Sequence, residues 1–319
     1  MKRTKREGAS AGTRLCTWFA QVKRPMPWRL KPSHYGCWLS EIMMQQTTYA
    51  SVLPYYERFL AKFPTVEALA AADEQEVLKA WEGLGYYARA RNLHRAARGI
   101  CATGRAVWPK GASAWAEVPG VGPYTAAALA SVLDGESVPV VDGNVARVFA
   151  RVWSLDDDFR KLPARQKLAD RLAPLMKGVS PGDFNQAMME LGALVCTPTN
   201  PQCAACPLAA DCTARAAGTQ ADYPTKAAKK ALPVRRETCV IVTDEKGRVL
   251  LAENRAGGLL KGLWELPRVA PATEQVQVFS HFRLELSALR AGEGAVFKDP
   301  REVPLATSTR KVLASCGLV

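Results

Sequence analysis

The chain has 319 residues, 48% hydrophobic and 23% charged, so it can bury a substantial core and has room for two or three domains. Its 43 Lys and Arg outnumber its 30 Asp and Glu, which gives a formal net charge of +13. A surplus of this size favours a polyanionic partner, because neutralising phosphates releases counterions. No apolar run reaches about twenty residues, so no membrane partner is expected. The basic start, Met1–Arg6, leads into no apolar segment, so a cytoplasmic location is expected.

Apolar residues recur at helical spacing from about Leu15 to Cys212, as in the run Trp38, Leu39, Ile42 and Met43. This pattern predicts an all-α region. The composition then shifts to Ala, Lys, Thr and Gly over Thr213–Pro233, which is typical of an interdomain linker. We therefore predict a catalytic region at residues 1–220, a linker at 221–233 and a second domain at 234–319.

The residues after the linker carry strand patterns. Thr238–Val242 and Val249–Ala252 flank a turn at Asp244–Gly247 and predict a hairpin. Gln275–Leu286 alternates over a long stretch, which predicts one half-buried strand. The C-terminal part is therefore predicted to be a small α+β domain.

Four of the nine cysteines are clustered, with the spacing C-x6-C-x2-C-x5-C: Cys196, Cys203, Cys206 and Cys212. Four thiolates from one short loop can hold a [4Fe–4S] cluster or a zinc ion. The other five are scattered and are expected to be small buried apolar residues, because the chain carries no export signal that would favour disulfides.

Two glycines lie close together in the turn Val118–Ala126, which separates two helical stretches. Gly120 and Gly122, with Val121 between them, allow a tight turn and close approach of another group to the backbone. The helix that follows would present its positive end, a site for a DNA phosphate. The alternative is an ordinary glycine-rich turn between core helices.

Two carboxylates lie in patterns that leave both a structural and a chemical role open. Asp142 precedes a helical run; it is either an N-cap or a carboxylate that stabilises a developing positive charge. Glu41 has apolar neighbours on an amphipathic helix, which favours its protonated form and a role as an acid; the alternative is a solvent-facing Glu.

Several longer motifs resemble the MutY family of helix-hairpin-helix adenine DNA glycosylases. They are P-W-R at Pro27–Arg29, W-L-S-E-I-M-M-Q-Q-T at Trp38–Thr47, G-L-G-Y-Y-A-R-A-R at Gly83–Arg91, V-P-G-V-G at Val118–Gly122, V-D-G-N-V at Val141–Val145, F-N-Q-A-M-M at Phe184–Met189, and the cysteine loop with Pro207 after its third cysteine. The resemblance implies an α-helical catalytic region, made of a six-helix lobe and a [4Fe–4S] cluster lobe that includes N-terminal residues.

The resemblance also assigns roles residue by residue. Glu41, Asp142 and Tyr124 would be catalytic. The adenine pocket would be lined by Trp28, Arg29, Met44, Gln186 and Met189. The hairpin residues Gly120, Val121 and Gly122 would contact DNA, as would Gln46, Thr47 and Tyr86; Gln46 would fill the gap left by the flipped adenine, and Tyr86 would wedge beside the damaged base. The four clustered cysteines would ligate the iron–sulfur cluster.

Tyr124 separates this chain from its bifunctional relatives, because endonuclease III has a Lys nucleophile in the hairpin. Without an amine no Schiff base can form there, which implies a monofunctional glycosylase. Two alternatives stay open: a related glycosylase with another base preference, and a non-catalytic DNA-binding protein.

The C-terminal residues resemble the Nudix-like domain with which the family recognises 8-oxoguanine. Gly262–Pro267 reads G-L-W-E-L-P, and Phe279, Ser280 and His281 match the F-S-H loop that reads the oxidised base. The R-E-x-x-E-E core of Nudix hydrolases is absent, which excludes pyrophosphatase chemistry. The short stretch Arg268–Glu274 stands where the family has a longer insertion, so the domain is trimmed.

Taken together, the residues and the resemblance predict a base excision repair enzyme. Its partner would be double-stranded DNA with A·8-oxoG or A·G mispairs, its cofactor a [4Fe–4S] cluster and its location the bacterial nucleoid. Nothing in the sequence specifies an oligomeric state, and a monomer is the default.

Overall fold

The fold is known from a computed structural model that describes residues 10–225, 239, 241–255, 258, 260–267, 275–278, 283–286 and 295–319. The basic segment Met1–Arg6 lies outside these ranges. The described helices are α1 (Ala11–Val22), α2 (Pro27–Leu30), α3 (His34–Met44), α4 (Tyr49–Lys62), α5 (Val66–Ala71), α6 (Glu74–Trp81), α7 (Ala88–Ile100), α8 (Gly111–Ala116), α9 (Pro123–Leu129), α10 (Gly143–Trp153), α11 (Leu162–Leu172), α12 (Pro181–Leu194), α13 (Thr213–Ala217) and α14 (Thr307–Ser315).

The predicted all-α region is confirmed, because the described chain from Ala11 to Ala217 consists of helices and the turns that join them. Short polar side chains begin many of these helices by accepting a hydrogen bond from a free backbone N–H. Ser10, Thr48, Thr65 and Ser180 cap α1, α4, α5 and α12 in this way. Asp73 forms a capping box with Glu76 at the start of α6. No described helix has the length and apolar character that crossing a bilayer requires.

The chain packs into two compact units, one containing residues 1–42 and 107–230 and the other residues 43–106 and 231–319. The core of the first unit is apolar and continuous, with Leu15 and Phe19 of α1, Phe149 of α10, and Phe184 and Leu191 of α12 all buried. Helix α12 packs against both α1 and α10. It is therefore the central helix of this unit.

Two glycines allow close helix packing in the first unit. A Cβ on Gly12 of α1 would overlap the carbonyl oxygen of Leu175. A Cβ on Gly192 of α12 would lie 2.6 Å from the Cβ of Asn144 on α10. Any larger residue would force the backbones apart, so Gly12 sets the approach of α1 to the turn at Leu175, and Gly192 sets the spacing of α10 and α12.

The second unit contains α4 to α7 and the C-terminal elements. Phe59 of α4 and Trp81 of α6 pack edge to face with ring centroids 5.9 Å apart. The C-terminal strands are β1 (Val249–Glu253), β2 (Trp264–Glu265), β3 (Gln275–Val278), β4 (Arg283–Leu286) and β5 (Val296–Lys298). An antiparallel sheet has the order β2-β1-β5, and β3 pairs with β4. With α14 these strands form the predicted α+β arrangement.

The strand predictions hold in part. The turn at Asp244–Gly247 is present, because the N–H of Gly247 donates to the carbonyl oxygen of Asp244. Opposite β1, Thr243 forms an isolated bridge with Val249, and the N–H of Leu250 donates to the carbonyl oxygen of Val242 at 2.8 Å. The single long strand predicted over Gln275–Leu286 is wrong. Its halves β3 and β4 pair antiparallel, Gln275 opposite Leu286, because alternation with period two continues through a hairpin and does not mark the reversal.

Substituting Gly12 tests the close packing of α1. We expect Gly12→Ala to lower the free energy of unfolding by about 1–3 kcal/mol, the usual cost of overpacking a rigid contact. The matched control is Gly99→Ala in α7, where a Cβ would meet no atom within 4 Å and helix propensity predicts a small gain. Urea unfolding of both variants measures the difference. Equal stability of the two variants would contradict the packing argument.

Candidate active site

Asp142 is the N-cap of α10. Its Oδ1 accepts a hydrogen bond from the N–H of Val145 at 2.7 Å, and its Oδ2 accepts one from Asn144 Nδ2 at 3.0 Å. Burial raises the pKa of Asp142, and the hydrogen bonds to the carboxylate offset only part of that rise. The carboxylate is therefore held in one orientation in partly desolvated surroundings.

Arg147 connects Asp142 to the beginning of the cysteine loop. Its Nη2 donates to Asn144 Oδ1 at 2.8 Å, and its Nε donates to the carbonyl oxygen of Cys196 at 2.9 Å. It also donates to the carbonyl oxygen of Gly192 at 2.9 Å. A continuous chain of hydrogen bonds thus runs from Cys196 through Arg147 and Asn144 to the Asp142 carboxylate.

Glu41 lies on α3, where it is half-buried. Burial raises the pKa of Glu41 from 4.5 to about 7, with the charge of Asp142 adding to the rise and that of Arg29 opposing it. The carboxyl groups of Glu41 and Asp142 are therefore close enough to interact electrostatically. Near neutral pH, Glu41 is therefore divided between its protonated and ionised forms, which suits a group that gives up and takes back a proton.

Tyr124 lies in the first turn of α9. Burial raises its pKa well above 10, and the charges of Glu41 and Asp142 raise it further. Its hydroxyl donates to Met189 Sδ at 2.9 Å. The structure therefore brings together the three residues predicted to be catalytic, with Tyr124 remaining a neutral phenol.

An ion network fixes the predicted pocket residues Arg29 and Gln186. Arg29 Nε donates to Gln186 Oε1 at 2.8 Å, and its Nη2 donates to Glu190 Oε2 at 3.1 Å. Arg24 donates to both carboxylate oxygens of Glu190, at 2.6 and 3.0 Å. Burial alone would raise the pKa of Glu190, but the bonds from Arg24 and Arg29 lower it overall. The amide of Gln186 is thereby held in one orientation.

The remaining predicted pocket residues differ in exposure. Trp28 is buried at the start of α2, and its carbonyl oxygen accepts a contact from Cys37 Sγ at 3.7 Å. Met189 is half-buried against Tyr124. Met44 is half-buried at the C-terminal end of α3.

The predicted hairpin is formed by α8, the turn Val118–Gly122 and α9. Gly120 adopts a φ of +83°, a conformation that favours glycine, and is exposed. Val121 is buried, and its N–H donates to the carbonyl oxygen of Val118 at 3.0 Å. Gly122 caps α9, whose first residue is Pro123. An exposed glycine at the tip can approach a DNA backbone closely.

Gln46 and Tyr86, both in the second unit, adopt left-handed backbone conformations with φ of +58° and +49°. This conformation is strained for residues other than glycine, so contacts with the surrounding structure must stabilise it. Both side chains are exposed, Tyr86 by 56%. Thr47 is half-buried beside Gln46. These are the residues that the family resemblance assigns to DNA contact.

Arg89 holds both strained turns, and it had no predicted role. Its buried guanidinium donates hydrogen bonds to one oxygen of each of five residues, Met43, Gln45, Thr47, Leu84 and Gly85. Desolvation lowers the pKa of Arg89 to about 10, which leaves the group charged at neutral pH. One side chain therefore links the turn containing Gln46 to the turn containing Tyr86.

The four clustered cysteines line one cavity in the first unit, together with Val148, Val195 and Pro201. Arg151 Nη1 donates to Cys196 Sγ at 3.4 Å, and Gln220 Nε2 donates to Cys203 Sγ at 3.8 Å. Across the described residues, no three His, Cys, Asp or Glu side chains are arranged to hold a single metal ion. The cavity thus collects four sulfurs without the tight geometry of a one-ion site.

The predicted lesion contacts cannot be placed, because Phe279, Ser280 and His281 lie outside the described residues. The neighbouring G-L-W-E-L-P motif is described, and its Trp264 and Glu265 form strand β2. No role was predicted for five residues that the structure shows to be important: Arg24, Arg89, Asn144, Arg147 and Glu190. They lie within or near the recognised motifs, but partners such as Glu190 for Arg24 and Cys196 for Arg147 are distant in sequence.

Comparison with known proteins decides the family. A model described as "HhH-GPD superfamily base excision DNA repair protein" matches residues 39–174. Curated adenine DNA glycosylases are similar over most of the chain: that of Homo sapiens is 36% identical over 321 residues, covering 82% of this chain and 58% of the relative. That of Buchnera aphidicola (Acyrthosiphon pisum strain) is 32% identical over 246 residues, covering 77% and 70%. The chain belongs to the adenine DNA glycosylase family.

The chain spans 58% and 46% of the length of its human and Arabidopsis thaliana relatives, and it is 39% identical to the latter over 298 residues, 80% of this chain. Solved structures show the same fold. A thermostable thymine-DNA glycosylase matches with a TM-score of 0.59 at 26% identity, covering 65% of this chain and 95% of that one. An endonuclease III–DNA complex matches with a TM-score of 0.55 at 20% identity, covering 66% and 95%. The helical glycosylase fold predicted from the sequence is therefore confirmed.

The raised pKa of Glu41 predicts a pH-dependent cost in stability. The unfolded carboxyl ionises near 4.5 and the folded one near 7, so the wild type loses stability relative to a neutral variant as pH rises between these values. We expect Glu41→Gln to be more stable than the wild type by about 1–2 kcal/mol at pH 8, less than the full shift implies because Glu41 is half-buried. Chemical unfolding at pH 5 and pH 8 measures how this gain grows.

Glu190→Gln is the matched comparison, because its effect on stability is expected to have the opposite sign. Its carboxylate is stabilised by Arg24 and Arg29, so removing the charge is expected to cost about 3 kcal/mol at pH 8. If Glu41→Gln also destabilises the protein at pH 8, burial does not make the ionised carboxylate of Glu41 unfavourable.

Proposed function

We propose that this protein is a monofunctional DNA glycosylase that hydrolytically excises adenine mispaired with 8-oxoguanine or guanine and leaves an abasic site. The observation that carries the proposal is the Glu41 carboxyl, whose pKa is raised to about 7 beside Asp142 and Tyr124. Membership of the adenine DNA glycosylase family and the net charge of +13 support a DNA substrate.

The reaction begins with extrusion of the adenosine from the duplex, because the glycosidic bond is inaccessible inside the stack. Gln46 fills the vacated space and Tyr86 wedges beside the opposite base. Gln186, oriented by Arg29, donates and accepts hydrogen bonds along the adenine edge. Phe279, Ser280 and His281 of the Nudix-like C-terminal domain read the 8-oxoguanine.

Glu41 then protonates a ring nitrogen of adenine. The bonding electrons of the C1′–N9 bond leave with the base, and the sugar becomes an oxocarbenium-like cation. The fixed Asp142 carboxylate stabilises that positive charge. A water molecule held by Glu41 and Tyr124 attacks C1′, and its proton returns to Glu41. Proton and charge balance are restored, and the enzyme is ready for another turnover.

Tyr124 supports the monofunctional assignment. A lyase needs an amine that forms a Schiff base with the sugar, and this position carries a phenol instead. Its hydroxyl donates to Met189 Sδ, and its pKa stays well above 10, so it is not an ionised nucleophile at neutral pH. Its remaining role is to help orient water.

The four clustered cysteines would hold a [4Fe–4S] cluster. Their chemistry fits, since four thiolates are the usual ligands of such a cluster. The N–H donors of Arg151 and Gln220 at two of the sulfurs suit a negatively charged sulfur centre. When bound, the cluster would fix the fold of the loop between Cys196 and Cys212.

A thymine glycosylase is the second candidate, because a thymine-DNA glycosylase is among the similar solved structures at 26% identity. Thymine, unlike adenine, has no basic ring nitrogen that an acid could protonate, so its excision has less need of an acid. The protonatable Glu41 favours adenine. A binding protein without activity would not need the protonatable Glu41, since phosphate contacts require no carboxylate.

Single-turnover base release tests the function. We expect cluster-loaded protein to release adenine from A·8-oxoG faster than from A·G and not from A·T. Glu41→Gln should slow release by at least about 100-fold, the contribution of a general acid. Because the acid must be protonated, the wild-type rate should fall as pH rises through about 7.

The control is Glu57→Gln, an exposed residue of α4, which should release adenine at the wild-type rate. Thymine release from a T·G duplex with no adenine release would establish the second candidate. No release of either base by cluster-loaded protein would leave the binding function.

The cluster assignment is tested by metal content. Anaerobically purified wild type should contain about four iron and four sulfide per chain with visible charge-transfer absorption. Cys203→Ser should lose that absorption and part of its stability, whereas Cys316→Ser, an exposed cysteine outside the loop, should retain both. One equivalent of zinc and no iron after growth in iron-rich medium would contradict the assignment.

A further inference from the structure

The C-terminal residues contact α6 and α7 through several polar bonds. Trp264 Nε1 donates to Gln75 Oε1 at 3.3 Å, and Gln75 Nε2 donates to the carbonyl oxygen of Gly262 at 3.1 Å. Lys79 Nζ donates to the carbonyl oxygen of Val303 at 2.9 Å. A Cβ on Gly262 would lie 3.0 Å from Leu78 Cδ1. Within the second unit, the C-terminal domain is therefore seated closely on α6.

Glu82 is the residue between α6 and the turn that carries Tyr86. Its Oε1 accepts hydrogen bonds from the N–H of Leu305 at 3.0 Å and from Arg310 Nε at 2.8 Å. Its Oε2 pairs with Lys79 Nζ at 2.9 Å. The side chain is only 8% exposed. A charge held this deeply requires these partners, so the contact is directional and costly to break.

Tyr87 connects the other end of the turn that carries Tyr86 to Leu305. Its hydroxyl donates to the carbonyl oxygen of Leu305 at 3.4 Å and accepts from the N–H of Gly83 at 3.2 Å. The backbone N–H and C=O of Leu305 thus hold Glu82 and Tyr87. Between these two anchors lies Tyr86, exposed and in a left-handed conformation.

We propose that Glu82 and Arg310 are a positioning pair through which the C-terminal domain sets the backbone of the turn that presents Tyr86 to the lesion strand. This inference rests on the proposed function and deepens it. A strained residue keeps its conformation only when its surroundings over-determine it. Arg310 of α14 supplies part of that constraint, which gives the C-terminal domain an influence on opposite-base discrimination apart from direct contacts by its own loop.

The proposal separates two effects of breaking the pair. If Glu82 and Arg310 only stabilise the fold, their loss lowers stability and leaves the preference for 8-oxoguanine over guanine unchanged. If they position Tyr86, their loss loosens the turn and lowers that preference, whereas the chemistry at Glu41 keeps its pH dependence. The ratio of release rates and the local amide exchange therefore discriminate between the two.

The experiment uses full-length, cluster-loaded protein with Glu82→Gln, Arg310→Gln and the double variant. Arg301→Gln is the matched control, since Arg301 forms an exposed ion pair with Asp299 in the same domain. Hydrogen exchange is measured at the amides of residues 83–88. Single-turnover adenine release is measured opposite 8-oxoguanine and opposite guanine.

We expect Arg310→Gln to speed amide exchange in the turn and to lower the 8-oxoguanine preference, each about three- to tenfold, the size expected for one partly exposed charge-assisted hydrogen bond. The effect of the double variant should be smaller than the sum of the two single effects, because both substitutions remove the Glu82–Arg310 interaction. Arg301→Gln should match the wild type in both measurements, and every variant should keep the wild-type pH profile.

Unchanged amide exchange in Arg310→Gln, or faster exchange with an unchanged 8-oxoguanine preference, overturns the positioning role. Equal losses opposite both bases with a lower melting temperature also overturn it and leave a structural pair. If the wild type releases no adenine from either duplex, the proposed function itself fails, and with it the role in discrimination. The amide exchange rates then show separately whether the Glu82–Arg310 pair holds the turn.

Discussion

The N-terminus of α10 depends on one side chain, because Asp142 accepts the backbone N–H that would otherwise be unsatisfied at the start of this buried helix. The same carboxylate is bonded to Asn144, which Arg147 joins to the carbonyl oxygens of Gly192 and Cys196. The helix packing, the cysteine loop and the orientation of Asp142 are therefore set by one connected network. The two interpretations of Asp142, as a cap and as a reactive carboxylate, are compatible, since the cap provides the rigidity that stabilising a developing charge requires.

Two glutamates of the first unit show how local partners set the charge of a buried carboxyl. Glu190 is almost fully buried, yet Arg24 and Arg29 keep it ionised. Glu41 retains more exposure, but burial and the neighbouring Asp142 outweigh the single influence of Arg29 and raise its pKa. Environments that drive two carboxyls in opposite directions are typical of sites that divide structural and acid–base roles. Arg29 has both a structural and an electrostatic role, because it orients Gln186 through a hydrogen bond and its charge opposes the rise in the pKa of Glu41.

Motifs confined to short stretches were predictable from the sequence. The helical region, the hairpin at Gly120–Gly122 and the grouping of the four cysteines follow from local spacing. The catalytic roles of Glu41 and Asp142 were predicted from resemblance to the family and stay a prediction. The missed interactions join residues far apart in the chain: 166 residues separate Arg24 from Glu190, and 228 separate Glu82 from Arg310. Charged residues are expected at the surface unless partners are known, and no local pattern identifies such partners. The reversal between β3 and β4 was missed because the alternation of side chains persists across it.

Arg89 donates its hydrogen bonds largely to backbone carbonyl oxygens in the turns around Gln46 and Tyr86. Every residue has the same backbone carbonyl group, whatever its side chain. The hydrogen bonds from Arg89 to these carbonyl oxygens therefore do not depend on which side chains the two turns carry. The exposed side chains at these two turns can therefore change during evolution without loss of the loop geometry. A scaffold of this kind would keep the geometry of both turns while the side chains displayed on them change, because one buried arginine holds both turns.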